Sequence, residues 1–215
     1  MKKIIVALLL LSLFSCQKKE VLLPQLDETI VADVKDHSPI YMFFETNGKD
    51  TLIDVNRSNS ISSTNWLFNI DKRLPLKLVI PEIQKLQAKK EKSAHKSETA
   101  ENYFTYMDKK KKTLAFLPFT KVMYDLAKPD FGVLIYYTKE GKFIVTGNFI
   151  KNVIAVDKEN LQNYLNKLPS DKPNKFLFCF DKEISFEKYL EAIVYLNKIS
   201  VEYPSLQLSD NQYVY

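Results

Sequence analysis

The apolar run Phe176–Phe180 and the helical pattern that follows it most limit how this chain can fold. An unbroken apolar run between polar segments is typical of a strand that lies inside a sheet and is buried on both faces. Ser185 then stands at a helix N-cap position, and the residues after it repeat at the spacing of one helix face. The apolar members of this face are Phe186, Tyr189, Leu190, Ile193, Leu196 and Ile199. A buried strand with an amphipathic helix predicts an α+β fold.

The rest of the C-terminal region extends this pattern. An apolar strand precedes the turn at Glu140-Gly141, and a second strand follows it. Asp157 is a helix N-cap candidate before another helical stripe, which Pro169 ends. Together with a last strand near residues 205–208 or 212–215, residues 131–215 are predicted to form a β-β-α-β-α-β unit. We expect small mixed or antiparallel sheets with the helices packed on one face.

Residues 39–128 predict a second, β-rich α+β region. Asn47-Gly48 is a favoured hairpin turn between two apolar strands. Residues 76–80 are interpreted as a further strand, with a short helix starting at Pro81. Residues 88–101 are polar and rich in lysine, which predicts an exposed insertion.

The two regions contain a similar hairpin pattern. An aromatic strand precedes Gly48-Lys49 and, 93 residues later (141 minus 48), Gly141-Lys142. This echo indicates either two related halves or the common appearance of aromatic hairpins, and the second interpretation is favoured. Residues 129–215 are therefore treated as a separate C-terminal region.

The N-terminus has the features of an export signal. Lys2 and Lys3 precede an apolar run over residues 4–14, which is too short to span a bilayer and fits the core of a signal peptide. The run ends in Leu13, Ser15 and Cys16, and this ending resembles the lipobox of bacterial lipoproteins. The alternative is an ordinary signal peptide followed by a chance cysteine.

The lipobox resemblance implies a membrane anchor on Cys16. In that family the thiol of the cysteine is diacylated, the chain is cleaved before it, and the new amine is acylated. Residues 1–15 would be the signal peptide, and residues 16–38 the lipidated Cys16 with a tether. Residue 17, directly after Cys16, is Gln rather than the Asp typical of an inner-membrane retention signal. The outer membrane of a Gram-negative envelope is therefore favoured.

Composition and motifs argue against most catalytic classes. The chain has 2 His and 4 Gly, and its net charge of +5 is too mild to predict nucleic-acid binding. Nucleophile elbows and metal-binding His or Cys motifs are missing, so neither an enzyme nor a metal or other cofactor is predicted. Asp181 and Glu183 form a close acidic pair, which is interpreted as a turn and helix start. Cys179 lies inside an apolar strand and is expected to be a buried, inert thiol.

Residues 131–208 resemble the periplasmic domain of the ExbD/TolR biopolymer-transport family. The resemblance rests on residues 139–145 (KEGKFIV) and on residues 175–186 (KFLFCFDKEISF). Asp181 and Phe186 occupy the positions of that family's strand-ending aspartate and helix-opening aromatic. The resemblance implies a fold that dimerises or binds an envelope partner. It implies no motor role, because the family's transmembrane helix is replaced here by the lipid-anchored Cys16.

Tyrosines are the candidate partner-binding residues, because they anchor interfaces at a low entropy cost. Adjacent strand residues face opposite sides, so Tyr136 and Tyr137 cannot both enter one core. Tyr213 and Tyr215 lie in a tail that could dock as an edge strand or bind by strand addition. The leading hypothesis is a lipid-anchored envelope protein with a non-catalytic domain that binds an envelope protein or itself, accessory to a transport system. The alternatives are a carrier of a small molecule or lipid and, less favoured, an envelope hydrolase.

Overall fold

The chain forms two mixed sheets with helices against them. The computed structural model describes residues 19–130, 132–147, 154–167, 176–202 and 210–215. Each sheet has 6 strands, and the described part of the chain contains three helices. The predicted α+β class is confirmed. None of the described helices has the length and apolar character needed to cross a membrane.

The first sheet contains the strands of the N-terminal half. Its strands are β1 (Gln25–Leu26), β2 (His37–Asn47), β3 (Asp50–Asn56), β4 (Asn65–Ile70), β5 (Asn102–Asp108) and β6 (Thr113–Pro118). Their order is β1-β5-β4-β2-β3, and β6 pairs with β5. The hairpin pairs β2–β3 and β5–β6 are antiparallel, whereas β2–β4, β4–β5 and β1–β5 are parallel.

The second sheet contains β7 and the strands of the C-terminal half. Its strands are β7 (Met123–Asp125), β8 (Val133–Tyr137), β9 (Phe143–Gly147), β10 (Ile154–Val156), β11 (Phe176–Phe180) and β12 (Asn211–Val214). Their order is β10-β9-β8-β11-β12-β7. Strand β11 has parallel neighbours on both sides and all its residues are buried, which explains its unbroken apolar sequence.

The helices are α1 (Leu76–Glu91), α2 (Lys158–Leu165) and α3 (Phe186–Glu202). The C-terminal elements follow the order β8-β9-β10-α2-β11-α3-β12, so the predicted β-β-α-β-α-β order lacks β10. This strand spans Ile154–Val156 and pairs antiparallel with β9. It is too short to produce a recognisable period in the sequence. Of the two ranges considered for the last strand, the one at residues 212–215 overlaps β12.

The prediction of a strand over residues 76–80 is wrong, because α1 already begins at Leu76 and contains Pro81. Its buried apolar residues fall on one helix face: Leu76, Val79, Ile80, Ile83 and Leu86. Burial of this face outweighs the hydrogen bond that Pro81 cannot donate. The helix runs on to Glu91, so it includes the first residues of the predicted lysine-rich insertion.

The segment before β2 is held against the first sheet. Leu26 and Val34 are buried, and β1 extends the sheet beside β5. Val31 and Phe116 exchange two backbone hydrogen bonds, with N···O distances of 3.1 and 2.9 Å. From Val21 onward the predicted tether is thus largely docked on the domain.

The two halves repeat one topology. In each half an antiparallel hairpin is followed by a parallel strand, a long helix and a second parallel strand. These elements are β2-β3-β4-α1-β5 in the first half and β8-β9-β11-α3-β12 in the second. Strand β10 and helix α2 are inserted in the second half between β9 and β11. The shared pairing favours the interpretation of the hairpin echo as two related halves.

A second echo accompanies the strand–helix turn. Phe68, Asp71 and Lys72 recur as Phe178, Asp181 and Lys182, at an offset of 110 residues (181 minus 71). The two turns meet each other through an antiparallel bridge between Pro75 and Ser185. Two reciprocal pairs of backbone hydrogen bonds join equivalent residues, as an approximate twofold axis requires. In the first pair, Leu76 N–H donates to Ile184 O and Phe186 N–H donates to Leu74 O. In the second pair, Lys77 N–H donates to Lys182 O and Glu187 N–H donates to Lys72 O.

One hydrophobic core joins the halves. Tyr189 of α3 contacts Phe104 of the first sheet, with ring centroids 6.3 Å apart, and Phe180 of the second sheet, at 5.0 Å. A single cluster of buried residues includes both long helices and the inner faces of both sheets. The halves therefore stabilise each other rather than folding around separate cores.

Candidate functional site: a tyrosine face and a junction pocket

The second sheet has one face in the main core and another that carries a separate cluster. Side chains alternate along β8, β11 and β12, so every second residue lies on this other face. The cluster has three buried members, Leu134, Leu177 and Cys179, against which three half-buried tyrosines pack. We call Tyr136, Tyr213 and Tyr215 the tyrosine face.

The structure brings together three of the four tyrosines that the sequence singled out. Tyr136 and Tyr213 flank Cys179 in register on the two neighbouring strands. The rings of Tyr136 and Tyr215 lie 5.4 Å apart at an angle of 33°. Tyr137 is buried on the opposite face, 4.8 Å from the ring of Phe143. Cys16 lies outside the described residues.

Burial keeps Tyr136, Tyr215 and the Cys179 thiol neutral at ordinary pH. Burial, with the nearby charge of Asp181, raises the pKa of Tyr136 to about 12. Burial also raises the pKa of Tyr215 and brings that of the Cys179 thiol to about 12. Tyr136 and Tyr215 therefore offer neutral hydroxyl groups on an apolar base, and the Cys179 thiol beneath them is too buried and too weakly acidic to act as a nucleophile.

The acidic pair Asp181 and Glu183 shapes the start of α3. Asp181 Oδ1 accepts the backbone N–H of Glu183 at 2.8 Å, which is a turn contact. Glu183 forms an ion pair with Lys77 at 3.0 Å. Both carboxylates thus have structural partners.

Asp71, the counterpart of Asp181, is a structural residue that the sequence patterns did not single out. Its side chain is fully buried and receives two hydrogen bonds of 2.8 Å from the guanidinium of Arg73. The backbone N–H groups of Leu22 and Arg73 also donate to it. Burial opposes ionisation, but these hydrogen bonds prevail and hold the pKa of Asp71 below its usual value. The recurrence of Asp71-Lys72 as Asp181-Lys182 is the sequence signal that could have identified this residue.

The histidines and acidic groups form no metal site in the described part of the chain. His37 Nδ1 lies 2.9 Å from the backbone oxygen of Val34, and His95 is exposed. Among the residues that the structure describes, no three His, Cys, Asp or Glu side chains lie close enough together to hold a metal ion.

A small pocket lies at the junction of the halves, with a volume of about 270 Å³. Charged residues at Glu101, Lys121 and Asp210 belong to its lining, and the apolar part of its walls comes from both halves: Phe104, Leu117, Phe119, Phe178, Ile193 and Leu196. Tyr189 and Gln212 also line it, and Tyr189 donates a hydrogen bond of 2.7 Å to Gln212 Oε1. The hydroxyl of Tyr124 lies 3.0 Å from that of Tyr189. Residues so distant in sequence leave no local signal of a pocket.

Lys90 is a buried cation near the junction. Its Nζ donates to the backbone oxygen of Glu101 and to Asn102 Oδ1, at 3.1 and 3.0 Å, and lies 5.0 Å above the ring of Trp66. Burial lowers the pKa of Lys90 to about 8. These contacts assign it to holding the end of α1 against the first sheet.

Comparisons with protein-family models, with curated proteins and with solved structures find no match for this chain.

Proposed function

We propose that this chain is a lipid-anchored protein of the cell envelope whose non-catalytic domain binds a protein partner. Cys16 carries the anchor, the outer membrane is the favoured location, and the partner belongs to an envelope transport system or is a second copy of the chain. The signal peptide and the lipobox resemblance support the anchor. The tyrosine face is the observation that carries the binding role.

The tyrosine face has the composition of an interface core. Its rings pack against Leu134, Leu177 and Cys179, so part of their side-chain entropy is already lost before a partner binds. The neutral hydroxyl groups of Tyr136 and Tyr215 can take part in hydrogen bonds with a partner without the desolvation cost of a charge. A resemblance to the ExbD/TolR periplasmic domain, in which Asp181 and Phe186 take the family's turn positions, supports an envelope partner rather than a soluble one.

A site-specific photo-crosslinker tests this role in native membranes. Placed at Tyr213, it is expected to give one discrete crosslinked envelope protein, and Tyr136→Ser should weaken that product because Tyr136 belongs to the same face. The matched control is a crosslinker at Ile61, which is more than half exposed but lies in a loop of the other half. Equal products from both positions, or a product unaffected by Tyr136→Ser in a folded variant, contradict the proposal.

The junction pocket supports a second candidate function, the carriage of a small molecule. Its volume of about 270 Å³ lies just below the range of common ligand pockets, about 300–1,000 Å³, so the ligand would be small and largely apolar.

Filling the pocket tests this candidate. We expect native mass spectrometry of the purified protein to show a bound small molecule that Leu196→Phe displaces, because Leu196 lines the pocket. Val201→Phe is the control, since Val201 is exposed on the same helix. Finding only free protein in the wild type contradicts carriage and leaves partner binding as the better-supported function.

A further inference from the structure

The outer face of the β2–β3 hairpin leaves apolar side chains open to solvent. Tyr41, Phe43 and Glu45 alternate along β2, while Leu52 and Asp54 lie opposite Glu45 and Phe43 on β3, so the five share one face. We call them the hairpin face. The rings of Tyr41 and Phe43 stack at 5.9 Å and 15°, and Leu52 is 43% exposed. The hairpin thus presents an aromatic and aliphatic ridge at the edge of the first sheet.

The start of the described chain is fastened to this face. Lys19 Nζ bonds to both Glu45 Oε1 and Asp54 Oδ2 at 2.5 Å and lies 5.9 Å from the centre of the Phe43 ring. Lys19 therefore pairs with both carboxylates of the hairpin face and leaves one net negative charge among the three groups. What remains on that face is a mostly apolar surface, largely charge-compensated by Lys19, beside the N-terminal end of the described chain.

Lys19 is only three residues after Cys16. A fully extended chain covers at most about 3.6 Å per residue, so the Cα atoms of Cys16 and Lys19 are within about 11 Å of each other. Acyl chains on Cys16 would thus enter a bilayer next to the hairpin face. Aromatic rings are favoured at the level of the lipid headgroups, where an apolar body and a polar tip are both accommodated.

We propose that the hairpin face docks on the headgroup region of the bilayer and fixes the orientation of the domain on the membrane. This inference rests on the proposed lipidation of Cys16. The tyrosine face lies on the other sheet and shares no residue with this docking surface.

A synthetic anchor separates docking from natural lipidation. The chain from Cys16 onward contains every described residue, and its Cys16 thiol can be coupled to a maleimide-headgroup lipid in phosphatidylcholine vesicles with brominated acyl chains. Cys179 should not react, because it is fully buried. Leu52→Trp reports contact with the bilayer by a blue shift and by bromine quenching. Leu126→Trp is the matched control, with an exposure of 49% beside the second sheet.

We expect bromine to quench the Leu52→Trp variant several times more strongly than the Leu126→Trp variant, over a constant background from buried Trp66. Adding Lys19→Glu should remove this difference in quenching. A glutamate at position 19 repels Glu45 and Asp54, so the anchored end of the chain no longer lies against the hairpin face. Equal quenching at both positions overturns the docking proposal. So does a blue shift of the Leu52→Trp variant that needs no vesicles and grows with protein concentration, which indicates a contact between two copies. Loss of membrane association in cells for Cys16→Ser tests the natural anchor separately.

Discussion

Replacing Phe104 by alanine is expected to destabilise the whole molecule by about 3–5 kcal/mol, the usual cost of removing a fully buried phenylalanine. The ring of Phe104 lies 3.7 Å from that of Phe119 and contacts Phe186 at 5.2 Å. It therefore joins the first sheet to α3 of the other half. Such a loss is a large part of the stability of an ordinary domain, about 5–15 kcal/mol.

Urea unfolding measures this effect, with Phe43→Ala as the control. Phe43→Ala removes the same atoms from a half-exposed position, so we expect the free energy of unfolding to fall by only about 1 kcal/mol. Because the halves share one core, Trp66 fluorescence and far-UV circular dichroism should give the same midpoint in every variant. Two separated transitions, or equal losses for Phe104→Ala and Phe43→Ala, contradict a shared core.

Replacing Asp71 by asparagine is expected to lower the free energy of unfolding by about 1.5–3 kcal/mol, which is the usual contribution of a hydrogen bond to a charged group. The substitution removes the charge that Arg73 faces and weakens the contact with the N–H of Leu22, which holds the N-terminal segment. Asp181→Asn is the matched control at the equivalent turn. Asp181 is half exposed, so a change within about 0.5 kcal/mol is expected there.

The pH dependence of the Asp71 effect has a definite sign. The pKa of Asp71 is lower in the folded protein than its ordinary value of 3.8, so the unfolded state takes up the proton first as the pH falls. The stability advantage over Asp71→Asn is thus fully present above that ordinary value and is lost as the pH falls through the lower, folded pKa. Unfolding midpoints measured from pH 7 to pH 3 test this, and an advantage that grows in acid contradicts it.

Several elements follow directly from local sequence. Asn47-Gly48 and Gly141 specify the two hairpin turns, and both glycines adopt positive φ angles of 62° and 84°. The unbroken apolar run of β11 predicts its central position, and the spacing after Ser185 predicts α3. Each of these signals lies within a short window, because turn geometry and side-chain period are local properties.

Other elements depend on contacts between distant residues. Residues 76–80 fit a strand as well as a helix, and only their burial between the sheets selected the helix. β10 pairs through three residues, which is too few for a pattern. The hairpin echo alone left the relation of the halves open, because the insertion of β10 and α2 shifts the second echo to a different offset.

The sequence by itself determined the α+β class, the hairpins, the buried strand β11 and a composition poor in catalytic groups. It also singled out the tyrosines, because their residue type and strand positions are local facts. Only the tertiary structure decided that Tyr136, Tyr213 and Tyr215 share a face while Tyr137 enters the core. It likewise brought the equivalent turns at Asp71 and Asp181 together, formed the junction pocket and set Lys19 on the hairpin face. These features join segments far apart in the chain, and their energy comes from burial and pairing that no local pattern contains.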